Sequence, residues 1–363
     1  MRAPKAIVAA ASFVLSACGE VPTRSGPTTA FPGPDWQVST PESQGIDSAR
    51  LQEALAYLAS KTGSNGTSET LVVRNGYLIW KGADIDRKHS IWSCTKSFTS
   101  TAFGLLLEDG KCSMTTLGKE FVAGLAPAYS GVTFRHFATM TSGYDGEGGS
   151  YDRWQGRADA NALVRPLDPV FPPGTKFHYW DEAMMQFGSA LTAVAGESLY
   201  TFLKRRITDP IGMKNWTWEP AGTVPNWTGG IHTTARDLAR FGLLFLNRGN
   251  WNGRQLINAS WVEQATSVQV PSSIPFEPIS PRQEGPGVYG YNWWVNGVRP
   301  DGAREWPGAP VGTFAAQGFN NNKCFVIPEW NMVVVRMGTD GNVDRLVWSG
   351  FFEKLSPAIR PAR

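Results

Sequence analysis

The sequence is poor in the features that mark several common classes of protein. Its 363 residues include only four cysteines and four histidines, and no C-x-x-C or H-x-x-x-H pair gives the spacing of a metal site. No glycine-rich phosphate loop is present. The formal net charge is only +3 and no basic block occurs, which argues against a nucleic-acid partner. Nothing in the sequence therefore calls for a metal or a nucleotide.

Long apolar runs are also missing. No span outside the N-terminus is long enough to cross a membrane, and no internal repeat is visible. Hydrophobic content of 42% and charged content of 18% are ordinary for a globular protein. Tryptophan (15) and proline (25) are abundant, which predicts loop-rich structure with aromatic packing. The length suits one large domain or two intimately joined ones.

The N-terminus has the pattern of a signal peptide over residues 1–17. Arg2 and Lys5 precede an apolar run, and small residues follow at the end of that run. Leu15-Ser16-Ala17-Cys18 resembles the bacterial lipobox, in which the cysteine is lipidated and becomes the first mature residue. We therefore expect an exported lipoprotein, anchored to a membrane through Cys18 and facing the periplasm or cell exterior. The alternative is an ordinary signal peptide with an incidental cysteine.

The rest of the chain divides into a tether and a folded domain. Residues 18–40 are rich in Pro, Gly, Ser and Thr, which predicts a flexible tether. Residues 41–363 then form the domain. Its α/β part comprises 41–110 and 285–363, and a mainly helical part, 111–284, is inserted between them.

Local patterns place the elements of the N-terminal part. Asp47 is a candidate cap for an amphipathic helix. Two β-prone runs flank Asn75-Gly76, which is a strong hairpin signal. A further helix is expected from Ser93 to Asp109-Gly110, and the face that carries Phe98 and Leu105 must be buried.

Helices dominate the middle and strands return at the end. The expected helices are 133–139, 182–195, 199–207, 235–247, 260–267 and 343–355, with Ser198, Thr234 and Asn258 as caps. The expected strands are 291–295, 313–317, 323–327 and 332–337. Strands at both ends imply one antiparallel sheet built from the two termini and flanked by helices, an α/β fold. Residues 143–173 form a candidate loop over a site.

Ser93-Cys94-Thr95-Lys96 is a candidate catalytic motif. A serine and a lysine three residues apart near a helix start lie on one face. A partly desolvated, neutral lysine can take the hydroxyl proton, and a helix N-terminus favours the negative charge that develops. The pattern is common by chance, so it needs support from the remaining chain.

That support comes from a resemblance. The motif resembles the first motif of the serine β-lactamase and penicillin-binding protein superfamily, and its surroundings resemble the class C β-lactamase-like branch. This branch includes esterases, D-amino-acid peptidases and 6-aminohexanoate-dimer (nylon-oligomer) hydrolases. The resemblance covers about residues 40–341, and the supporting segments in their order are 39–47, 95–101, 134–143, 172–175, 210–213, 229–242 and 291–295.

The resemblance assigns a second motif, Tyr-x-Asn, to Tyr179-Trp180-Asp181. It implies that Tyr179 shuttles a proton together with Lys96, because a phenol next to a cation ionises more readily. Asp181 departs from the asparagine of the family. It keeps an acceptor but loses the amide donors, which puts recognition of a substrate amide in doubt.

The third motif, Lys-Thr-Gly or His-x-Gly, falls on Ala316-Gln317-Gly318 and lacks its cation. By the pattern of the family this segment lines the substrate site, and the backbone N–H groups of Ser93 and Phe319 form the oxyanion hole. Without the cation a substrate carboxylate is held less well. The segment is more similar to the esterase and nylon-oligomer hydrolase branch than to true β-lactamases.

The remaining candidates have weaker signals. Trp92 and Trp180 flank the first two motifs and are candidates for the acyl pocket, although a tryptophan often only packs. His136 and His232 are expected to be structural. Pairing among Cys94, Cys112 and Cys324 stays open, with free buried thiols as the plain alternative.

The expected function is hydrolysis of an ester or amide through an acyl-enzyme, without metal or organic cofactor. Ser93 is the nucleophile, and Lys96 and Tyr179 move protons. One alternative is a β-lactamase or a D-amino-acid peptidase that acts on cell-wall peptides. Another is a penicillin-binding or ligand-binding lipoprotein that has lost turnover. The substrate itself is not readable from the sequence.

Overall fold

The computed structural model describes residues 29–122, 129–143, 171–221, 224–276, 285–340 and 345–360. In these residues the α-helices are α1 (Ser48–Lys61), α2 (Thr95–Glu108), α3 (Phe134–Ala138), α4 (Asp181–Ala195), α5 (Leu199–Leu203), α6 (Ala235–Leu246), α7 (Ala259–Ala265) and α8 (Arg345–Leu355). A 3-10 turn, Trp92–Cys94, leads directly into α2, and a π-helical turn, Lys204–Thr208, continues α5. The side chains of Asp47, Ser198, Thr234 and Asn258 cap their helices as the sequence predicts.

The strands are β1 (Glu69–Arg74), β2 (Tyr77–Lys81), β3 (His89–Ser90), β4 (Thr217–Trp218), β5 (Pro220–Ala221), β6 (Val224–Pro225), β7 (Ile231–Thr233), β8 (Asn250–Trp251), β9 (Arg254–Gln255), β10 (Trp294–Val295), β11 (Phe314–Gly318), β12 (Asn322–Ile327) and β13 (Met332–Met337). The main sheet has the order β10-β11-β12-β13-β1-β2, and its neighbouring strands are antiparallel. The N-terminal hairpin therefore pairs with the C-terminal strands, and the predicted α/β architecture is confirmed.

The β1–β2 hairpin shows how local sequence fixes this sheet. Asn75 and Gly76 have φ angles of 52° and 81°, the left-handed conformations that the tight turn requires. A Cβ atom at Gly76 would lie 1.7 Å from the carbonyl oxygen of Ala30, so only glycine fits there. β1 then pairs with β13 from Glu69–Met337 to Arg74–Met332.

Helices cover both faces of the sheet. On one face α6 packs on β12 and β13, with Gly242 against Cys324 and Val333. On the other face α8 packs on β12, where Phe325 contacts Trp348. α1 lies against α8.

α2 lies at the centre of the molecule. Its residues from Thr95 to Leu106 are buried on every side, although the sequence predicts one buried face. Phe98 stacks on Phe241 of α6 at 3.9 Å between ring centroids, and Phe103 contacts Phe187 of α4 at 5.2 Å. The helix is thus held by the sheet side and the helical part together, which fixes its N-terminus in place.

Two segments differ from the expectation. The predicted strand 291–295 is reduced to β10, because Asn292 has a φ of 57° and its N–H donates to Ala138 instead of a strand. Residues 29–40 of the predicted tether lie against the body: Trp36 is buried, and Arg240 donates to the carbonyl oxygen of Gly33. Residues 18–28 of that prediction lie outside the described residues.

Among the residues that the structure describes, no helix has both the length and the apolar character needed to span a bilayer.

Candidate active site

The site begins at the N-terminus of α2. Ser93 lies in the 3-10 turn before the helix, and Lys96 lies in the first turn of the helix. The Nζ atom of Lys96 is 2.7 Å from the Oγ atom of Ser93. The side chain of Lys96 is only 2% exposed, whereas Ser93 is half-buried and accessible. A hydroxyl in contact with a buried amino group is the arrangement of an activated serine.

Two more oxygen atoms surround the amino group of Lys96. The carbonyl oxygen of Thr228 accepts a hydrogen bond from Nζ at 3.1 Å. The Oδ1 atom of Asp181 forms an ion pair with Nζ at 2.7 Å. Asp181 is the first residue of α4 and is itself 6% exposed. The position that departs from the family pattern therefore contacts the lysine directly.

Tyr179 completes the polar centre. Its ring lies 4.9 Å from the Nζ atom of Lys96, a cation–π distance. Trp294 and Tyr289 flank the same ring at 5.5 and 6.1 Å between centroids. Burial raises the pKa of Tyr289, and the neighbouring Tyr179 adds to the rise, so Tyr289 stays a neutral wall of the site.

The end of β11 approaches the nucleophile closely. A Cβ atom at Gly318 would lie 2.2 Å from the carbonyl oxygen of Ile91 and 3.1 Å from the backbone nitrogen of Ser93. Only a glycine allows this approach. Phe319 follows at the strand end, so its N–H belongs to the segment next to the Ser93 N–H. The two segments whose N–H groups are expected to form the oxyanion hole are therefore adjacent.

The other residues of the third motif do not contribute in the same way. Ala316 is fully buried opposite Cys324. Gln317 pairs with Lys323, whose Nζ atom lies 5.8 Å from the ring of Trp348 in α8. Because directly paired residues share a face of a sheet, Gln317 belongs to the α8 face. The structure therefore does not bring its side chain to Ser93, in contrast to the substrate-binding expectation.

The two tryptophans of the sequence prediction behave differently. Trp92 is half-buried, has a φ of 50° and contacts Phe319 edge-to-face at 5.4 Å. A left-handed φ is rare for so bulky a side chain and marks a constrained position. Phe319 is 41% exposed, so the pair offers apolar surface beside Ser93. Trp180 is 4% exposed and packs on His178 at 5.2 Å, within the core.

The loop before β7 is part of the site, although none of its residues is a site candidate from the sequence. The Oδ1 atom of Asn226 accepts from the N–H of Thr228 at 3.1 Å, from its hydroxyl at 2.7 Å and from the N–H of Gly229 at 3.0 Å. These bonds fix the loop that presents the Thr228 carbonyl to Lys96. The signal was an asparagine two residues before Thr-Gly-Gly, which is typical of a side-chain-capped turn.

The cysteines of the described residues form no disulfide. Cys94, Cys112 and Cys324 are free thiols. Cys94 is fully buried, and its Sγ atom donates to the carbonyl oxygen of Asn322 at 3.2 Å. Burial raises the pKa of the Cys94 thiol to about 12, although Lys323 and Lys96 lower it, so the nucleophilic thiolate is disfavoured.

The two histidines of the resemblance lie at structural positions. The Nδ1 atom of His136 accepts from the N–H of Thr133 while the hydroxyl of Thr133 accepts from the N–H of His136, which forms a capping box at α3. His232 lies in β7 with Nδ1 near the carbonyl oxygen of Gly230. The predicted loop 143–173 lies outside the described residues between 144 and 170.

Comparisons with known proteins bear on the family and the fold. A family profile described as Beta-lactamase matches residues 69–346. The 6-aminohexanoate-dimer hydrolase of Paenarthrobacter ureafaciens is 23% identical over 313 residues, which cover 76% of this chain and 75% of that protein.

Solved structures are similar in fold. EstCE1, described as a hydrolase with promiscuous acyltransferase activity, has a TM-score of 0.66 at 16% identity and covers 87% of this chain and 99% of its own. A penicillin-binding protein homologue from Caulobacter crescentus has a TM-score of 0.63 at 15% identity, with 86% and 98% covered. At such identities the likeness shows the fold.

Proposed function

The chain belongs to the Beta-lactamase family, whose members are hydrolases with this fold, and from that premise we propose that it is a serine hydrolase acting through an acyl-enzyme. The observation that carries the proposal is the 2.7 Å contact between Ser93 Oγ and the buried Nζ atom of Lys96. Ser93 attacks an ester or amide carbonyl, and Lys96 and Tyr179 move the protons. The N–H groups of Ser93 and Phe319 bind the oxyanion. Water then releases the acyl group.

The preferred substrate class is an uncharged ester or a linear amide. A bound carboxylate needs a cation, and Lys96 is the cation in contact with Ser93 in the described part of the chain. Ala316 stands where relatives carry lysine or histidine, and Trp92 with Phe319 provides apolar surface instead. We therefore place the chain with the esterase and 6-aminohexanoate-dimer hydrolase branch rather than with β-lactamases or cell-wall peptidases.

Side-by-side turnover of a nitrophenyl acyl ester and a chromogenic cephalosporin tests this preference. The ester should be hydrolysed faster, and faster turnover of the cephalosporin would contradict the proposal.

Labelling with a fluorophosphonate probe tests the nucleophile. Ser93→Ala should abolish labelling and turnover, because it removes the hydroxyl that contacts Lys96. Ser97→Ala is the matched control, since Ser97 lies one turn further along α2 and its hydroxyl donates to the Asn292 carbonyl oxygen. A protein labelled by neither this probe nor a fluorescent penicillin would instead be a binding relative without turnover.

We also propose that Cys18 carries a lipid anchor, on the strength of the signal-peptide pattern in residues 1–17. The small-molecule substrate and the membrane are then the partners of the chain. Incorporation of labelled palmitate during expression of the full chain in a bacterium tests this, and Cys18→Ala should remove the label. Incorporation that persists in the variant would contradict the anchor.

A further inference from the structure

A lysine must lose a proton before it can act as a base, so the groups around Lys96 decide where that proton can go. Its Nζ atom faces three oxygen atoms, those of Ser93, Thr228 and Asp181, which match in number the three protons of an ammonium. The carbonyl of Thr228 and the carboxylate of Asp181 can only accept. The amino group of Lys96 therefore lies directly against a carboxylate that can accept a proton.

The third motif supplies no positive charge. A cation at position 316 would repel an ammonium at Lys96, but Ala316 carries no charge. In the described part of the chain, Tyr179, Tyr289 and Cys94 also interact with Lys96, and all three are neutral when protonated. None of them supplies the missing positive charge. The ammonium proton thus needs an acceptor.

Asp181 is placed to be that acceptor. We propose that Asp181 takes a proton from Lys96 as Lys96 takes the proton of Ser93, so that the three side chains work as a Ser93–Lys96–Asp181 relay. The proposal rests on the proposed function and deepens it. Asp181 acts through Lys96 and does not touch the substrate. It is therefore a positioning residue, which holds the proton that Lys96 gives up.

The protons balance in each half of the reaction. In acylation the Ser93 proton moves to Lys96, a Lys96 proton moves to Asp181, and the Ser93 oxygen bonds to the carbonyl carbon. Lys96 then protonates the leaving oxygen or nitrogen as its bond to the carbonyl carbon breaks, and Asp181 returns its proton to Lys96. Water repeats the sequence in deacylation and restores the Ser93 hydroxyl.

The test measures the rate of Ser93 phosphonylation by a fluorophosphonate against pH in three proteins. The wild type is compared with Asp181→Asn, which has nearly the same shape without a proton-accepting carboxylate. Glu182→Gln is the matched control, because Glu182 is the next acidic residue in the first turn of α4 and makes no ion pair with Lys96. Circular dichroism and melting of all three show whether the fold is retained.

We expect Asp181→Asn to lower the rate at pH 7 by at least about tenfold and to move the acid limb of the profile to higher pH, since only the neutral amine then reacts. Glu182→Gln should follow the wild type. An unchanged or faster rate in Asp181→Asn, or a limb at lower pH, would overturn the relay. The carboxylate of Asp181 would then only hold the proton on Lys96 and would not help the reaction.

Two further results keep the proposal open to refutation. If Asp181→Asn does not fold, a proton inventory of the wild-type reaction in mixtures of H₂O and D₂O decides: a curved plot indicates two protons in motion, and a linear plot overturns the relay. If the wild type neither labels nor turns over any ester or amide, the proposed function itself fails. That failure is visible in the wild type alone and removes the basis of the relay with it.

Discussion

Replacement of Gly318 with alanine should disable the site without unfolding the protein. The new Cβ atom would lie 2.2 Å from the carbonyl oxygen of Ile91, whereas ordinary contact begins near 3.4 Å. The strand end and the turn before Ser93 must therefore separate by about 1 Å, if they relax along the line of contact. The φ of Gly318 is −140°, a value that alanine adopts freely, so the effect comes from the contact alone.

The size of the effect on kcat depends on how far the separation displaces the oxyanion donors from the reacting atoms. A shift of about 1 Å in a reacting geometry costs about 10²-fold in rate, and the loss of one oxyanion donor costs about 10²- to 10³-fold in kcat. We expect kcat for a nitrophenyl ester to fall by about 10²-fold in Gly318→Ala. KM should change little, since the donors act mainly on the transition state. Overpacking should destabilise the fold by about 1–3 kcal/mol.

The assay combines steady-state kinetics with thermal melting. Gly131→Ala is the matched control, because among the described residues no atom beyond Gly131 and its chain neighbours lies within 4 Å of the Cβ position there. It should keep both the kcat and the melting temperature of the wild type. Wild-type kcat in a folded Gly318→Ala protein would refute the assignment of the strand end to the oxyanion hole.

Two other variants test the supports of the site. Asn226→Leu removes the acceptor of three hydrogen bonds and should lower kcat by about tenfold, with a stability loss of about 1–3 kcal/mol. Asn226→Asp keeps the acceptor and should recover most of the activity. Equal kinetics in the two variants would contradict the role of the loop. Burial lowers the pKa of His136 below 6.5, and the charge of Arg135 lowers it further. The unfolded chain therefore binds this proton at a higher pH than the folded chain, and the fold loses stability as pH falls below about 6.5. His136→Gln keeps a capping box without titrating, so denaturant melts at pH 7 and pH 5 should show a smaller loss than in the wild type.

Local signals made much of the fold predictable. Asn75-Gly76 fixes the first hairpin because few residues adopt its left-handed turn, and Asp47, Ser198 and Thr234 mark helix starts because their side chains bond the free N–H groups. The proximity of Ser93 and Lys96 also follows from helix geometry, since both lie within one turn. These are short-range effects that a linear sequence contains.

The missed parts of the site depend on long-range packing. Thr228 reaches Lys96 across 132 residues through a backbone carbonyl, and no side-chain pattern announces such a group. Tyr289 forms part of the wall of the site, but it lies just before the predicted strand 291–295, and no local pattern marks it as a site residue. The side chain of Gln317 lies on the α8 face because Gln317 pairs with Lys323, and the third-motif pattern alone does not tell which face of β11 meets the nucleophile.

Asp181 and Ala316 are best understood together. The sequence shows each as a separate departure from the family pattern, one a gained carboxylate and the other a lost cation. The 2.7 Å contact of Asp181 with Lys96 shows that the gained carboxylate lies against the amino group, and Ala316 brings no positive charge to oppose it. With the carboxylate at position 181 alone, a cation at position 316 would still repel the amino group of Lys96. With the loss of the cation alone, a neutral amide at position 181 would lie beside the lysine. With both changes the proton of Lys96 has a destination in Asp181, and the reaction no longer depends on a resting neutral amine.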